Sequence, residues 1–157
     1  MADVGTGSGA VALALASERP DLRVRGLDAS QAALAVARAN GLRLGLPVSF
    51  AGADLLDGRA YDAVVANLPY VRIAELDTLA PEVGRYEPRQ ALDGGGDGLD
   101  LIRRLVARLP HSVGFLALEV GAGQADAVED LMAGAGLGAV ERLRDLAGIE
   151  RVVVGRS

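Results

Sequence analysis

The stretch ADVGTGSGAVALALASE, residues 2–18, decides the fold. A short strand-like tail, Ala2 to Val4, runs into a turn carrying Gly5, Gly7 and Gly9. An alanine- and leucine-rich segment, Ala10 to Glu18, follows and is stopped by Pro20. Strand, glycine turn and helix in that order make the opening unit of an α/β domain. Glycine permits positive φ and lets a ligand come close to backbone. The helix behind the turn offers free N–H groups and the positive end of a dipole.

The rhythm continues along the chain. Leu22 to Leu27 reads as a strand ending at Asp28. Ser30 is a good N-cap for a helix to about Ala39, with Asn40-Gly41 as its stop. Val48 to Phe50 is a short strand leading to Ala53-Asp54, and Tyr61 to Ala66 is a fourth. Residues 67–97 are long, irregular and rich in Pro, Gly and charge, which marks a functional or partly helical segment. Leu99 to Leu109 predicts a helix, Val113 to Val120 a strand and Gln124 to Ala133 another helix. Gly134 to Gly138 is a helix-ending turn. Ala139 to Leu146 and Ile149 to Gly155 predict a closing hairpin around Ala147-Gly148. Strands alternating with helices argue for an α/β fold with a mostly parallel sheet. The first strand looks truncated, because only Met1 and Ala2 precede Asp3.

The chain has 157 residues, half of them hydrophobic, which suits one packed domain over 1–157. It has no cysteine and one histidine, His111, so thiolate and multi-histidine metal sites are excluded. His111 lies in a turn and is expected to be merely exposed. Net charge is −5, and every basic residue is arginine. An acidic chain without a basic stripe suits no long nucleic-acid backbone, so no stable nucleic-acid binding is expected. No apolar run approaches the roughly 18 residues of a membrane span, and the N-terminus has no signal-peptide pattern. The expectation is a cytoplasmic protein.

Two carboxylates sharpen the glycine turn. Asp28 ends the second strand about 20 residues after it, where a carboxylate accepts hydrogen bonds from a ribose diol. Asp54 follows the third strand and can face an adenine amino group. Ligands of open α/β sheets bind beyond such strand ends. The nucleotide is either NAD or S-adenosylmethionine. A dinucleotide fingerprint reads G-x-G-x-x-G, whereas the spacing here is G-x-G-x-G with Asp3 two residues ahead. That resembles the first motif of S-adenosylmethionine-dependent methyltransferases, and the resemblance places Asp3 near the methionine amino group.

The fourth strand ends in Asn67-Leu68-Pro69-Tyr70. This resembles the N-P-P-Y motif of methyltransferases that modify planar nitrogens. Such a nitrogen shares its lone pair and is a poor nucleophile. Two acceptors at its N–H bonds, the Asn67 side-chain oxygen and the carbonyl of residue 68, orient it and favour a pyramidal form. Tyr70 can stack on the flat group, and Pro69 biases residue 68 towards extended geometry. Catalysis is then placement and electrostatics, with no strong base. Because Leu68 supplies a backbone carbonyl, its side chain is a mild departure. The tetrapeptide also looks like that of ribosomal-RNA adenine dimethylases, so it leaves the substrate open.

The segment after it narrows the choice. Tyr86-Glu87-Pro88-Arg89, Ala91-Leu92, Gly94-Gly95 and Asp97-Gly98-Leu99-Asp100 resemble the signature of the HemK/PrmC-type glutamine methyltransferases. Agreement continues in ALEVGAGQADAV, residues 117–128, and RVVVGR, residues 151–156. The resemblance implies a doubly wound, mostly parallel seven-stranded Rossmann-like sheet closed by an antiparallel hairpin. It implies methyl transfer from S-adenosylmethionine to the glutamine of the Gly-Gly-Gln motif in peptide chain release factors. Carried over by residue, Asp3, Gly5, Thr6, Gly7, Ser8, Gly9, Asp28, Asp54, Leu55 and Asn67 would meet the cofactor. Asn67, Leu68, Pro69 and Tyr70 would hold the glutamine, with Asn67, Pro69 and Tyr70 catalytic, and Glu87 would shape the substrate pocket. Leu55 reads equally as core, and Glu87 equally as a loop residue paired to an arginine. Family members carry a helical docking domain ahead of the catalytic one, whereas these residues match the catalytic domain alone. Two other readings stand beside this one: an adenine methyltransferase on RNA or DNA, and a cofactor-binding fragment without activity.

Overall fold

The computed structural model describes residues 1–78 and 92–157. Strand β1 (Ala2–Val4) leads through the glycine turn into α1 (Ala10–Glu18). The pattern repeats with β2 (Arg25–Asp28), α2 (Gln31–Leu44), β3 (Ser49–Gly52) and β4 (Ala63–Ala66). A 3-10 turn (Ile73–Thr78) follows, then α3 (Asp100–Val106), β5 (Phe115–Glu119) and α4 (Ala125–Gly134). The chain closes with β6 (Ala139–Arg144) and β7 (Glu150–Arg156). The seven strands run in the order β3-β2-β1-β4-β5-β7-β6. The β1–β2, β1–β4 and β2–β3 pairs are parallel, and β6–β7 is antiparallel. This is the expected seven-stranded α/β sheet with its closing hairpin. Its first strand is three residues long, yet Ala2, Asp3 and Val4 are buried and paired on both edges.

Two compact units make up the chain, residues 1–67 with 109–116, and residues 68–108 with 117–157. In the first, Leu27, Leu34 and Val64 are fully buried. Ala12, Ala16 and Val24 form a cluster, with Leu15, Leu22, Val48 and Phe50 packed against it. In the second, Ile102, Leu105, Val128, Met132 and Val153 are fully buried. Period-2 burial along β4 and β5 and buried residues three to four apart on α4 produce these cores.

Two expected boundaries move for physical reasons. Helix α2 does not stop at Asn40-Gly41. The Asn40 amide donates to the Ser8 carbonyl (3.0 Å), and a Cβ on Gly41 would lie 3.3 Å from the Phe50 ring. Both residues are therefore used in tertiary packing while the helix runs on to Gly45, a left-handed C-cap at φ 65°. Strand β2 begins at Arg25, because Leu22 is tied into a turn by its N–H bond to the Arg19 carbonyl. Apolar packing there needs no ladder pairing.

Candidate active site

In the first unit the glycine turn is held mostly by bonds to the end of β2. Gly5, Gly7 and Gly9 all take positive φ (70°, 55° and 82°). The amides of Gly5 and Thr6 both donate to the Leu27 carbonyl (2.8 and 2.9 Å), and Gly9 N–H donates to the Thr6 carbonyl (2.8 Å). Gly7 N–H donates to Asp28 Oδ2 (2.8 Å), while Ser30 N–H donates to Asp28 Oδ1 (2.8 Å). Asp28 thus locks the turn to the end of β2. A carboxylate has about four lone-pair positions, so it retains capacity for further donors.

Asp3 lies beneath the turn. It is 2% exposed, and its Oδ2 accepts from the Thr6 hydroxyl (2.6 Å) and from Ala12 N–H (3.1 Å). Burial pushes its carboxyl above the usual range, the two hydrogen bonds pull it back, and the Asp28 charge raises it again. Thr6 is tied into the same lattice. Its hydroxyl is committed to Asp3 and its amide to β2, so it has no donor left for a ligand. The same bonding uses much of the amide set expected to be free. Ser8 is the exposed member of the turn.

At the end of β3, Asp54 is exposed and Leu55 is buried. Leu55 has a φ of 71° and is the sole non-glycine residue with positive φ among the described residues. A bulky side chain in that region is strained, and such strain collects at sites the surroundings hold in place. Surface grooves of about 480 and 370 Å³ also occur in this unit. They lie along α1 and α2, between residues such as Leu13, Leu44 and Phe50, away from the carboxylates.

The tetrapeptide follows β4. Asn67 is exposed, and its side chain has no hydrogen-bond partner among the described residues. Leu68 is 4% exposed, so the residue that departs from the double-proline motif anchors the segment in the core. Pro69 and Tyr70 are half-buried. The Tyr70 hydroxyl donates to Glu119 Oε1 (3.4 Å), and burial, then the Glu119 charge, raises its pKa.

Behind Tyr70, Val71 bridges to Asp93 in parallel fashion, with Val71 N–H to the Leu92 carbonyl (3.0 Å) and Gly94 N–H to the Val71 carbonyl (2.9 Å). The Gln124 amide donates to the carbonyls of Tyr70 (3.0 Å) and Asp97 (3.2 Å). The Asp97 carboxylate accepts from Leu99 N–H (3.1 Å) and pairs with Arg103, which lowers its pKa to about 2. Glu119 and Gln124 were not legible as site residues. The signals were their place at the end of an expected strand and the start of an expected helix, and within the stretch 117–128 that resembles the glutamine methyltransferases, which assigned neither a role. Glu87 lies outside the described residues, with Tyr86, Pro88 and Arg89. His111 is exposed in its turn.

A family model described as the methyltransferase small domain matches residues 1–97. The release factor glutamine methyltransferase of Gloeobacter violaceus is 46% identical over 164 residues, covering 97% of this chain and 56% of that protein. The one from Geobacter sulfurreducens is 41% identical over 160 residues, covering 98% and 56%. The chain therefore spans little more than half the length of these curated relatives. Among solved structures, the E. cuniculi Mtq2–Trm112 complex, described as responsible for methylation of the eRF1 translation termination factor, matches with a TM-score of 0.64 and 24% identity. That match covers 99% of this chain and 83% of the other. The hMettl16 catalytic domain, solved with an RNA hairpin, matches at 0.75 and 13%, covering 99% and 63%. At these identities the structural likeness carries the fold alone.

Proposed function

The chain belongs to the methyltransferase small-domain family, and from that premise we propose that residues 1–157 act as one catalytic domain that methylates the glutamine side-chain amide of the Gly-Gly-Gln motif in a release factor. The setting is cytoplasmic translation termination. What supports the substrate is the identity of 41–46% to release factor glutamine methyltransferases over nearly the whole chain. No helix among the described residues is long and apolar enough to cross a membrane.

The first unit fits the methyl donor chemically. Asp28 keeps acceptor capacity beside a glycine turn that lets a ligand approach backbone. The buried Asp3 carboxylate, raised by desolvation, gains from any positive charge nearby, which suits a ligand carrying an ammonium and a sulfonium. Asp54 and the strained Leu55 would line the adenine. S-Adenosylmethionine, when bound, supplies an electrophilic methyl group.

The remaining work belongs to the tetrapeptide. The unpartnered Asn67 side-chain oxygen accepts one N–H of the substrate amide, and the carbonyl of Leu68 accepts the other. These bonds hold the nitrogen so that its lone pair faces the methyl. With S-adenosylmethionine bound, these residues would hold the nitrogen towards the methyl group that it supplies, and the nitrogen's proton would leave to solvent, so no strong base is needed. Tyr70 stacks on the amide plane. Labelled methyl transfer to a release factor, localised to its Gly-Gly-Gln glutamine and lost in Asn67→Ala, is the expected result. Transfer to nucleic acid instead, or none from a folded chain that binds S-adenosylhomocysteine, overturns it.

A further inference from the structure

We propose that Gln124 is a positioning residue for this transfer, acting through the backbone of Tyr70; the inference rests on the functional reading above. Gln124 stands at the N-cap of α4 but makes no cap bond with its side chain. It is 5% exposed, and its amide reaches three other backbone groups instead. Nε2 donates to the carbonyls of Tyr70 (3.0 Å) and Asp97 (3.2 Å), and Oε1 accepts from Gly121 N–H (2.8 Å). Both N–H donors of one side chain are therefore spent on segments 54 and 27 residues away. An apolar side chain of the same size would fill the space without the cost of desolvating an amide. A fully satisfied amide adds one fixed backbone arrangement, which an apolar residue does not.

The surroundings are shaped to this clamp. Gly98 sits at φ 81°, and a Cβ there would fall 2.2 Å from the Tyr70 carbonyl oxygen and 2.4 Å from Gln124 Nε2. A Cβ on Gly94 would meet the Pro69 carbonyl oxygen at 2.8 Å, and one on Gly121 the Tyr70 ring at 3.2 Å. Two bare glycines thus let chain pack directly on the Pro69-Tyr70 backbone, and a third lets it pack on the Tyr70 ring. At its far end Tyr70 is held by a longer bond, 3.4 Å to Glu119. The tighter grip is on the carbonyl, so Gln124 sets the peptide from which the ring projects. A shift of about 1 Å in such a group costs on the order of 100-fold in rate.

The test compares Gln124→Met, which keeps the volume and loses all three bonds, with Gln124→Glu, which keeps an acceptor for Gly121 and turns an oxygen on the two carbonyls. Both are expected to bind S-adenosylhomocysteine within about twofold of the parent, since the residues placed on it are elsewhere. Both are expected to lose kcat towards the release factor by about 10- to 100-fold, with KM changed much less. A purely structural role would lower the melting temperature and leave kcat of the folded protein unchanged, and parent-like kcat in both variants overturns the proposal. Carbonyl-carbon NMR of Tyr70 and the Val71 amide gives a readout independent of activity. Both resonances should move in Gln124→Met while that of Gly7 stays. Should the parent methylate no release factor, the functional reading fails, and unmoved Tyr70 and Val71 resonances then sink the positioning claim separately.

Discussion

The two units reach precision by opposite routes. In residues 1–67 with 109–116, the turn after β1 is fixed by the strand that follows it. Leu27 and Asp28 receive the amides of Gly5, Thr6 and Gly7, one βα unit apart. In residues 68–108 with 117–157, Tyr70 is fixed by groups 49 and 54 residues away, through Glu119 and Gln124. The first unit places charge under and beside a backbone cradle. The second places one aromatic residue with side chains borrowed from the β5–α4 turn. The comparison teaches that the glycine turn is held by nearly local bonds, whereas the hold on Tyr70 is assembled from distant pieces.

The largest expected effect separates the two functions. Asn67→Ala should cut methyl transfer by about 100- to 1,000-fold, as loss of one oriented polar group does. S-Adenosylhomocysteine affinity by calorimetry should change far less, and equal losses in both would merge the two regions. Next comes Gly98→Ala. Its new Cβ cannot coexist with the Tyr70 carbonyl, so the second unit must shift, at about 1–3 kcal/mol in denaturant melts. Affinity for S-adenosylhomocysteine in the folded fraction should hold.

Asp28→Asn probes the first unit in return. Losing a charged acceptor should weaken S-adenosylhomocysteine by about tenfold and leave KM for the release factor alone. Tyr70→Phe removes only the long bond to Glu119 and keeps the ring, so transfer should fall less than about fivefold. The smallest effect is a pH dependence. Asp97 is held near 2 by Arg103, so its folded carboxyl is depressed below its ordinary 3.8. Its contribution is present above about pH 4 and fades as pH falls towards 2. The Leu99 amide shift should follow that titration, and a midpoint near 4 would show that Arg103 does not hold the Asp97 carboxylate.

Some of this is legible in the sequence alone. The alternation of short apolar runs with helical segments specified the α/β order, because strand and helix periods differ in a way any window exposes. Asp28 was visible from its distance to the glycine turn, since one βα crossover has a nearly fixed length. The bond from the Thr6 hydroxyl to Asp3 was not legible, because pattern alone does not say which way a turn residue points. The end of α2 was misread for a related reason: Asn40-Gly41 has the chemistry of a stop but is held by Ser8 and Phe50.

The sequence by itself determined the strand–turn–helix beginning, the seven-stranded plan and the Asn67–Tyr70 tetrapeptide, because each depends on neighbours within one unit of secondary structure. Only the tertiary structure decided that Asp3 supports the turn from below, that Leu68 is an anchor, and that Gln124 grips Tyr70. Those facts depend on hydrogen bonds and close packing between segments far apart in the chain, and no local periodicity encodes which distant carbonyl a buried amide will find.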